Sequence, residues 1–249
     1  MNLSDFLKKP KWDGHVHIFS QRGVINMPSC SCVGFADIEF DYPIPNFVDL
    51  YSEYIDMNCI WLATATDIEA IKAIHNKFPN KIKGFGELKL YDYYCGHKVE
   101  YKDINFAHQV CEFSESVGNL PVYIHFELCD NQDVKDFERL LKEHSKVPII
   151  LCHLGMNEKN QEFAFNNFFR FQGSYKNLYG DISWDAAQYL KDKWSLVSCL
   201  DRCIWGSDMS PRQLQAVNKT LCGLQEMYIL IKTLKNCLEF EVGLVYIDR

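Results

Sequence analysis

Asp13-Gly14-His15-Val16-His17 sets two histidines at i, i+2, interleaved with Trp12, Val16 and Ile18. That alternation is the period of a strand, so His15 and His17 share a face, with Cβ atoms roughly 6–7 Å apart from the strand rise. Imidazoles so spaced can converge on one metal ion at about 2.0–2.1 Å. The competing reading is two polar side chains on the solvent face of an edge strand. Other apolar runs end in residues of the same kind: Glu87 and Lys89, again i, i+2, in KIKGFGELKL, His125 in VYIHFE, His153 in ILCHLG, Asp181 and Ser183 in YGDIS, and Asp208 in IWGSDMS. Taken singly, a histidine after a strand is a hydrogen-bonded structural residue, and an aspartate there caps the next helix. Caps do not explain four histidines and three carboxylates all at expected strand ends. Nitrogen and carboxylate donors suit Zn²⁺, and also Mn²⁺, Fe²⁺ or Ni²⁺. Such an ion lowers the pKa of bound water towards about 7, and a carboxylate beside it can take the proton and pass it to a leaving group. The remaining histidines, His75, His97, His108 and His144, fall in expected helices or loops and read as surface residues.

Strands alternating with amphipathic helices must position these groups. Strands are expected at Lys11–Phe19, Cys59–Thr66, Lys81–Leu90, Pro121–Phe126, Val147–Cys152, Leu178–Ile182 and Arg202–Trp205. Helices are expected over Asn46–Met57, after an Asp67 cap, from an Asp103 cap to about Val117, and over Gln132–His144, Glu158–Phe171, Asp185–Leu200 and Pro211 to about Cys237. The alternation implies a parallel sheet. In one domain of 249 residues the natural candidate is an α/β (β/α)8 TIM barrel, distorted or with one atypical strand, since only seven strands are legible. The eighth belongs between Tyr91 and Asn119 or in the irregular stretch Ser20–Pro45. A doubly wound open sheet is the fallback, without a glycine-rich phosphate loop to support it. The tail Glu239–Arg249 reads as a short strand or an extended arm.

Bulk properties narrow the partners. A net charge of −7 repels polyanions, which argues against nucleic acid. No apolar run approaches the ~18 residues of a membrane span, and the N-terminus lacks the apolar core of a signal peptide. Eleven cysteines include no C-x-x-C pair. They read as reduced thiols, and the expected compartment is the cytoplasm.

The ordered set DGHVHIF, PVYIHFE, IILCHLG, LYGDIS and IWGSDMS resembles the amidohydrolase superfamily of metal-dependent barrel hydrolases, most closely its amidohydrolase-2 branch, over roughly Trp12–Pro211. The resemblance implies one or two divalent ions, zinc first. It assigns His15, His17 and Asp208 to the first. His125 completes a mononuclear site, leaving His153 for catalysis, or His125 and His153 hold a second ion with Glu87 bridging as in TatD-like deoxyribonucleases. A carboxylated Lys89 ranks below Glu87 as the bridge. Asp208 is the expected general base. The implied activity is hydrolysis of an amide, ester, lactone or phosphoester bond in a small molecule. The alternatives are a metal-dependent decarboxylase, with Arg22 or Arg212 holding a carboxylate, a TatD-like nuclease, and a degenerate barrel without turnover. The Ser20–Pro45 loop, Tyr91–Tyr94 and Trp184 are expected at the mouth. A homo-oligomer is compatible with such a barrel.

Overall fold

The computed structural model describes residues 15–19, 35–39, 47–55, 60–90, 93–94, 97–98, 104–157, 159–182, 186, 189 and 202–205. His17 is described in its backbone only. Asp208, Ser183, Trp184, Arg22, Arg212, the helix expected after Pro211 and the 239–249 tail lie outside the described residues, as does most of the helix expected over 185–200.

In chain order the elements are β1 (Val16–Phe19), β2 (Phe35–Glu39), α1 (Phe47–Tyr54), β3 (Ile60–Ala63), α2 (Ile68–Lys77), β4 (Ile82–Lys89), a small antiparallel hairpin of β5 (Tyr93–Tyr94) and β6 (His97–Lys98), α3 (Ile104–Ser116), β7 (Val122–His125), α4 (Asn131–Glu143), β8 (Ile149–Leu151), α5 (Gln161–Ser174), β9 (Leu178–Ile182) and β10 (Cys203–Trp205). Eight strands form one sheet in the order β1-β2-β3-β4-β7-β8-β9-β10, and every pair is parallel. The strand missing from the sequence count is β2, inside the long first loop. Its sequence FADIE carries two acids and no clean alternation, so its strand character comes from pairing with β1 and β3 rather than from pattern. This places β4, and Glu87 with it, fourth in the sheet rather than third.

Local signals set the helix starts. The Asp67 side chain accepts the Ala70 N–H at 2.8 Å ahead of α2. Asp130 and Asp133 form a capping box that starts α4. One face of the strands packs under the helices, with Phe85, Val122 and Ile149 against Ile71, Phe137 and Phe168, all fully buried. Removing one such phenyl ring costs about 3–5 kcal/mol.

The other face encloses a smaller cluster of Leu62, Tyr123, Ile150, Cys152 and Ile204, with Ile60 and Tyr179 against it. These residues come from β3, β7, β8, β9 and β10. Strands far apart in the sheet order share one inner cluster, so the sheet curls round on itself. The register agrees. Followed strand by strand, Asp181 is level with a point about seven residues beyond His15, yet it meets His15 itself. That offset is close to the shear of about 8 in an eight-stranded barrel. Among the described residues no backbone pairing joins β10 to β1, so the fold is a distorted (β/α)8 barrel.

Candidate active site

Inward-facing positions alternate along each strand, and the last inward position of several strands is polar. On β7, Tyr123 points inward and so does His125. On β9, Tyr179 and Asp181 do the same, and beyond β8 Ile150 is followed by Cys152. Five polar groups meet: His125 and Asp181, with Glu87 on β4, His15 just ahead of β1 and His153 in the turn after β8. His15 Nδ1 lies 2.7 Å from Asp181 Oδ2, and both side chains are buried. His15 Nε2 lies 3.9 Å from Glu87 Oε2, and His125 Nδ1 lies 2.8 Å from Glu87 Oε1. The His153 ring sits edge-on to His125, with centroids 4.7 Å apart, and stacks towards His15 at 6.4 Å. Ligand atoms of Glu87, His125 and His153 lie within 4.8 Å of one another, as do those of His15, Glu87 and Cys152.

The backbone is shaped to this cluster. Glu87 follows Gly86, which has φ +112° and whose Cβ, had it one, would lie 2.3 Å from the Tyr123 carbonyl. Only glycine lets β4 lie so close against β7 there. The Glu87 carbonyl accepts a 2.9 Å hydrogen bond from Thr64 Oγ1 on the segment after β3. After β8 the chain makes a tight turn in which His153 (φ 52°), Leu154 (φ 56°) and Gly155 (φ 72°) are all left-handed. For the two non-glycine residues this costs roughly 1–2 kcal/mol each. The turn is held by the Met156 N–H on the His153 carbonyl and the Leu128 N–H on the Gly155 carbonyl. Strain so over-determined gathers at functional sites, and here its result is to turn the His153 ring back over the cluster.

Burial alone would raise the pKa of the Glu87 carboxyl. The charge and hydrogen bond of His125, then His15 and Lys89, outweigh burial and hold it well below its ordinary value. Lys89 Nζ lies 3.9 Å from Glu87 Oε2, where a cationic amine belongs.

Of the residues singled out in the sequence, His15, Glu87, His125 and His153 come together. His17 shares the β1 backbone, and Asp208 lies outside the described residues. Two residues in the cluster had drawn no role. Asp181 fixes His15, and its inward parity with Tyr179 was the available signal. Cys152 lies next to His153, and its parity with Ile150 points it inside. Three of the supposed surface histidines are not so exposed. His144 is buried at the end of α4, His108 is half-buried on α3, and His75 is half-buried, its ring packed between Phe85 and Phe113. His97 lies in the small hairpin.

The sequence matches no family model and no curated protein. Solved structures share the fold. A zinc-bound amidohydrolase from Burkholderia multivorans aligns with 12% identity and a TM-score of 0.50, covering 88% of this chain and 95% of its own. An uncharacterised TIM-barrel protein from Bordetella bronchiseptica aligns with 13% identity and a TM-score of 0.51, over 90% of this chain and 81% of its own. The dihydroorotase of Saccharomyces cerevisiae, in complex with 5-fluoroorotic acid, aligns with 15% identity and a TM-score of 0.50, over 80% of this chain and 69% of its own. The chain therefore has the TIM-barrel architecture of these structures. Among the described residues no helix is long and apolar enough to cross a membrane.

Proposed function

We propose that the chain is a metal-dependent hydrolase that cleaves an amide, ester, lactone or phosphoester bond in a small molecule. The observation that carries this reading is the convergence of Glu87, His125 and His153 donor atoms within 4.8 Å, with His15 on the facing side. Two imidazoles and a carboxylate, drawn from β4, β7 and the turn after β8, are the donor set a divalent transition ion takes, zinc before manganese, iron or nickel. These residues would hold one ion. His15, with His17 and Asp208 as the sequence resemblance assigns them, would be the complement for it, or for a second. When bound, such an ion supplies a Lewis acid that polarises the scissile bond and acidifies water.

The chain's own groups supply the rest. Asp181 accepts the His15 Nδ1 proton, which fixes the tautomer and aims the Nε2 lone pair towards Glu87. His125, His15 and Lys89 hold the Glu87 carboxyl well below its ordinary pKa, so near neutral pH it is an acceptor. The left-handed turn keeps the His153 ring at the mouth, where it can orient substrate or hold a proton. Asp208, which follows β10 in the sequence, takes the part of proton shuttle.

The test combines elemental mass spectrometry on protein purified without chelator with a panel of lactones, cyclic amides and phosphoesters assayed in ¹⁸O-labelled water. The expected result is a bound transition metal, with His125→Ala losing one equivalent and its turnover, and label entering the product. Release of CO₂ without ¹⁸O incorporation would replace hydrolysis by decarboxylation. Full metal content and activity in His125→Ala would remove this site from the reaction.

A further inference from the structure

A second cluster of histidines and carboxylates lies in the helical layer, away from the barrel mouth. His108 is on α3, and Glu143 and His144 end α4. His108 Nδ1 is 3.0 Å from His144 Nε2 and 3.3 Å from Glu143 Oε2. The three ligand atoms lie within 4.8 Å of one another. Two donors on a tetrahedral zinc ion with bonds of about 2.0 Å stand roughly 3.3 Å apart, so two edges of the triangle already have that length. On its far side, His144 Nδ1 lies 3.2 Å from Glu115 Oε1. A carboxylate behind a ligating imidazole fixes its tautomer and raises its basicity.

The cluster is built rather than incidental. His144 is buried, and its backbone is pinned. Its N–H donates to the Leu140 carbonyl, and its own carbonyl accepts from Val147 N–H and Asn177 Nδ2. It also stands at the C-terminus of α4, where the helix dipole favours a cation. Glu112, Glu115 and Glu143 bring three negative charges towards the pair against one from Arg139, which is itself drawn to Asp136. His108 Nε2 has no partner among the described residues. Nothing described there resists the switch of tautomer that freeing Nδ1 requires.

We infer that His108, Glu143 and His144 form a second zinc-class site, backed by Glu115 and completed by water, that clamps α3 to α4 independently of the barrel mouth. The probe is Zn²⁺ itself, titrated into the whole protein against a chromophoric chelator, with Co²⁺ as a spectroscopic substitute. Wild type should bind one equivalent more than His108→Gln, and show the d–d absorption of four-coordinate cobalt, which the variant lacks. Glu143 is half-exposed, so Glu143→Gln tests the site without threatening the fold and should weaken the same equivalent at least tenfold. Glu115→Gln should weaken it about 10–100-fold. His125→Ala should leave this equivalent in place. Its survival beside a vanished mouth equivalent separates the two sites, and its survival where His125→Ala removes no metal would leave this site standing while the mouth reading falls. Equal zinc binding in wild type, His108→Gln and Glu143→Gln would overturn the proposal.

Discussion

The molecule carries two histidine–carboxylate clusters built by opposite means. At the barrel mouth, strand alternation brings together residues far apart in sequence: His15, Glu87, His125, His153 and Asp181 come from five separate segments. In the helical layer, two neighbouring helices supply everything, and Glu143 and His144 are adjacent in the chain. The mouth cluster lies inside a curled sheet with left-handed backbone aimed at it. The outer cluster lies on regular helices, His108 within α3 and Glu143 and His144 at the end of α4, with Glu143 reaching into solvent. A sheet gives convergence at the point where all its strands end together, which suits chemistry on a bound molecule. A helix pair gives a local clip, which suits stability.

The largest effect that separates the two clusters is on turnover. His125→Ala should lower kcat at least about a hundredfold, some 3 kcal/mol of transition-state stabilisation. His108→Gln should leave kcat within about twofold. Steady-state kinetics on whichever substrate the panel identifies decides this. A comparable loss in both variants would mean that the outer cluster feeds the mouth, and the contrast would collapse.

The same contrast explains what the sequence disclosed. Strand-end residues announce themselves because each follows an apolar run, so His125, His153 and Glu87 were legible together with the parallel α/β architecture. Asp67 was legible as a helix cap because capping is local. β2 was not, because FADIE becomes a strand only through its neighbours on both sides. The outer cluster was not legible either. His108 and His144 sit 36 residues apart on helices whose facing cannot be read without their packing, so they passed for surface residues. Asp181 had the right parity but nothing to name its partner, since its contact with His15 spans 166 residues and depends on the barrel's shear.

Next in size is Gly86→Ala. The added methyl would meet the Tyr123 carbonyl on a backbone with φ +112°, and should cost about 3 kcal/mol or more of unfolding free energy by urea titration. An equivalent glycine outside the barrel, Gly118, also has positive φ but open space around its Cβ. Gly118→Ala should cost only about 1 kcal/mol. Equal losses would mean that conformation, rather than the close approach of β4 to β7, sets the demand at Gly86. Smaller again is Asp181→Asn, which keeps the shape of the side chain but removes the charge that fixes His15 Nδ1–H. A loss of about 10–100-fold in metal affinity or kcat/KM is expected, with thermal stability little changed. An unaltered pH–rate profile in that variant would show that His15 needs no carboxylate to orient it.

The smallest effect is the response to acid, and it divides the two regions by pH window in protein stripped of metal. Glu87 has a depressed carboxyl pKa, so the folded state binds its proton less readily than the unfolded chain does. Its stabilisation is complete above its ordinary value of 4.5 and is lost as pH falls through the depressed folded value. His75 and His108 also have lowered pKa values: burial lowers both, and His144 lowers His108 further. For a base the depressed folded value means that the unfolded chain takes up protons first. Stability is therefore full above 6.5 and declines as pH falls below it. Acid unfolding should accordingly begin below pH 6.5 with a component from the helical layer, followed below pH 4.5 by one from the mouth. His75→Phe should flatten the upper component. It should also raise stability at neutral pH by about 1 kcal/mol, because the buried Nδ1, which has no partner among the described residues, is replaced by a ring carbon. Glu87→Gln should leave the upper component intact and remove the lower one. Urea midpoints measured from pH 2 to 8 read both variants at once, and a His75→Phe profile that overlays wild type would place the upper window on His108 alone.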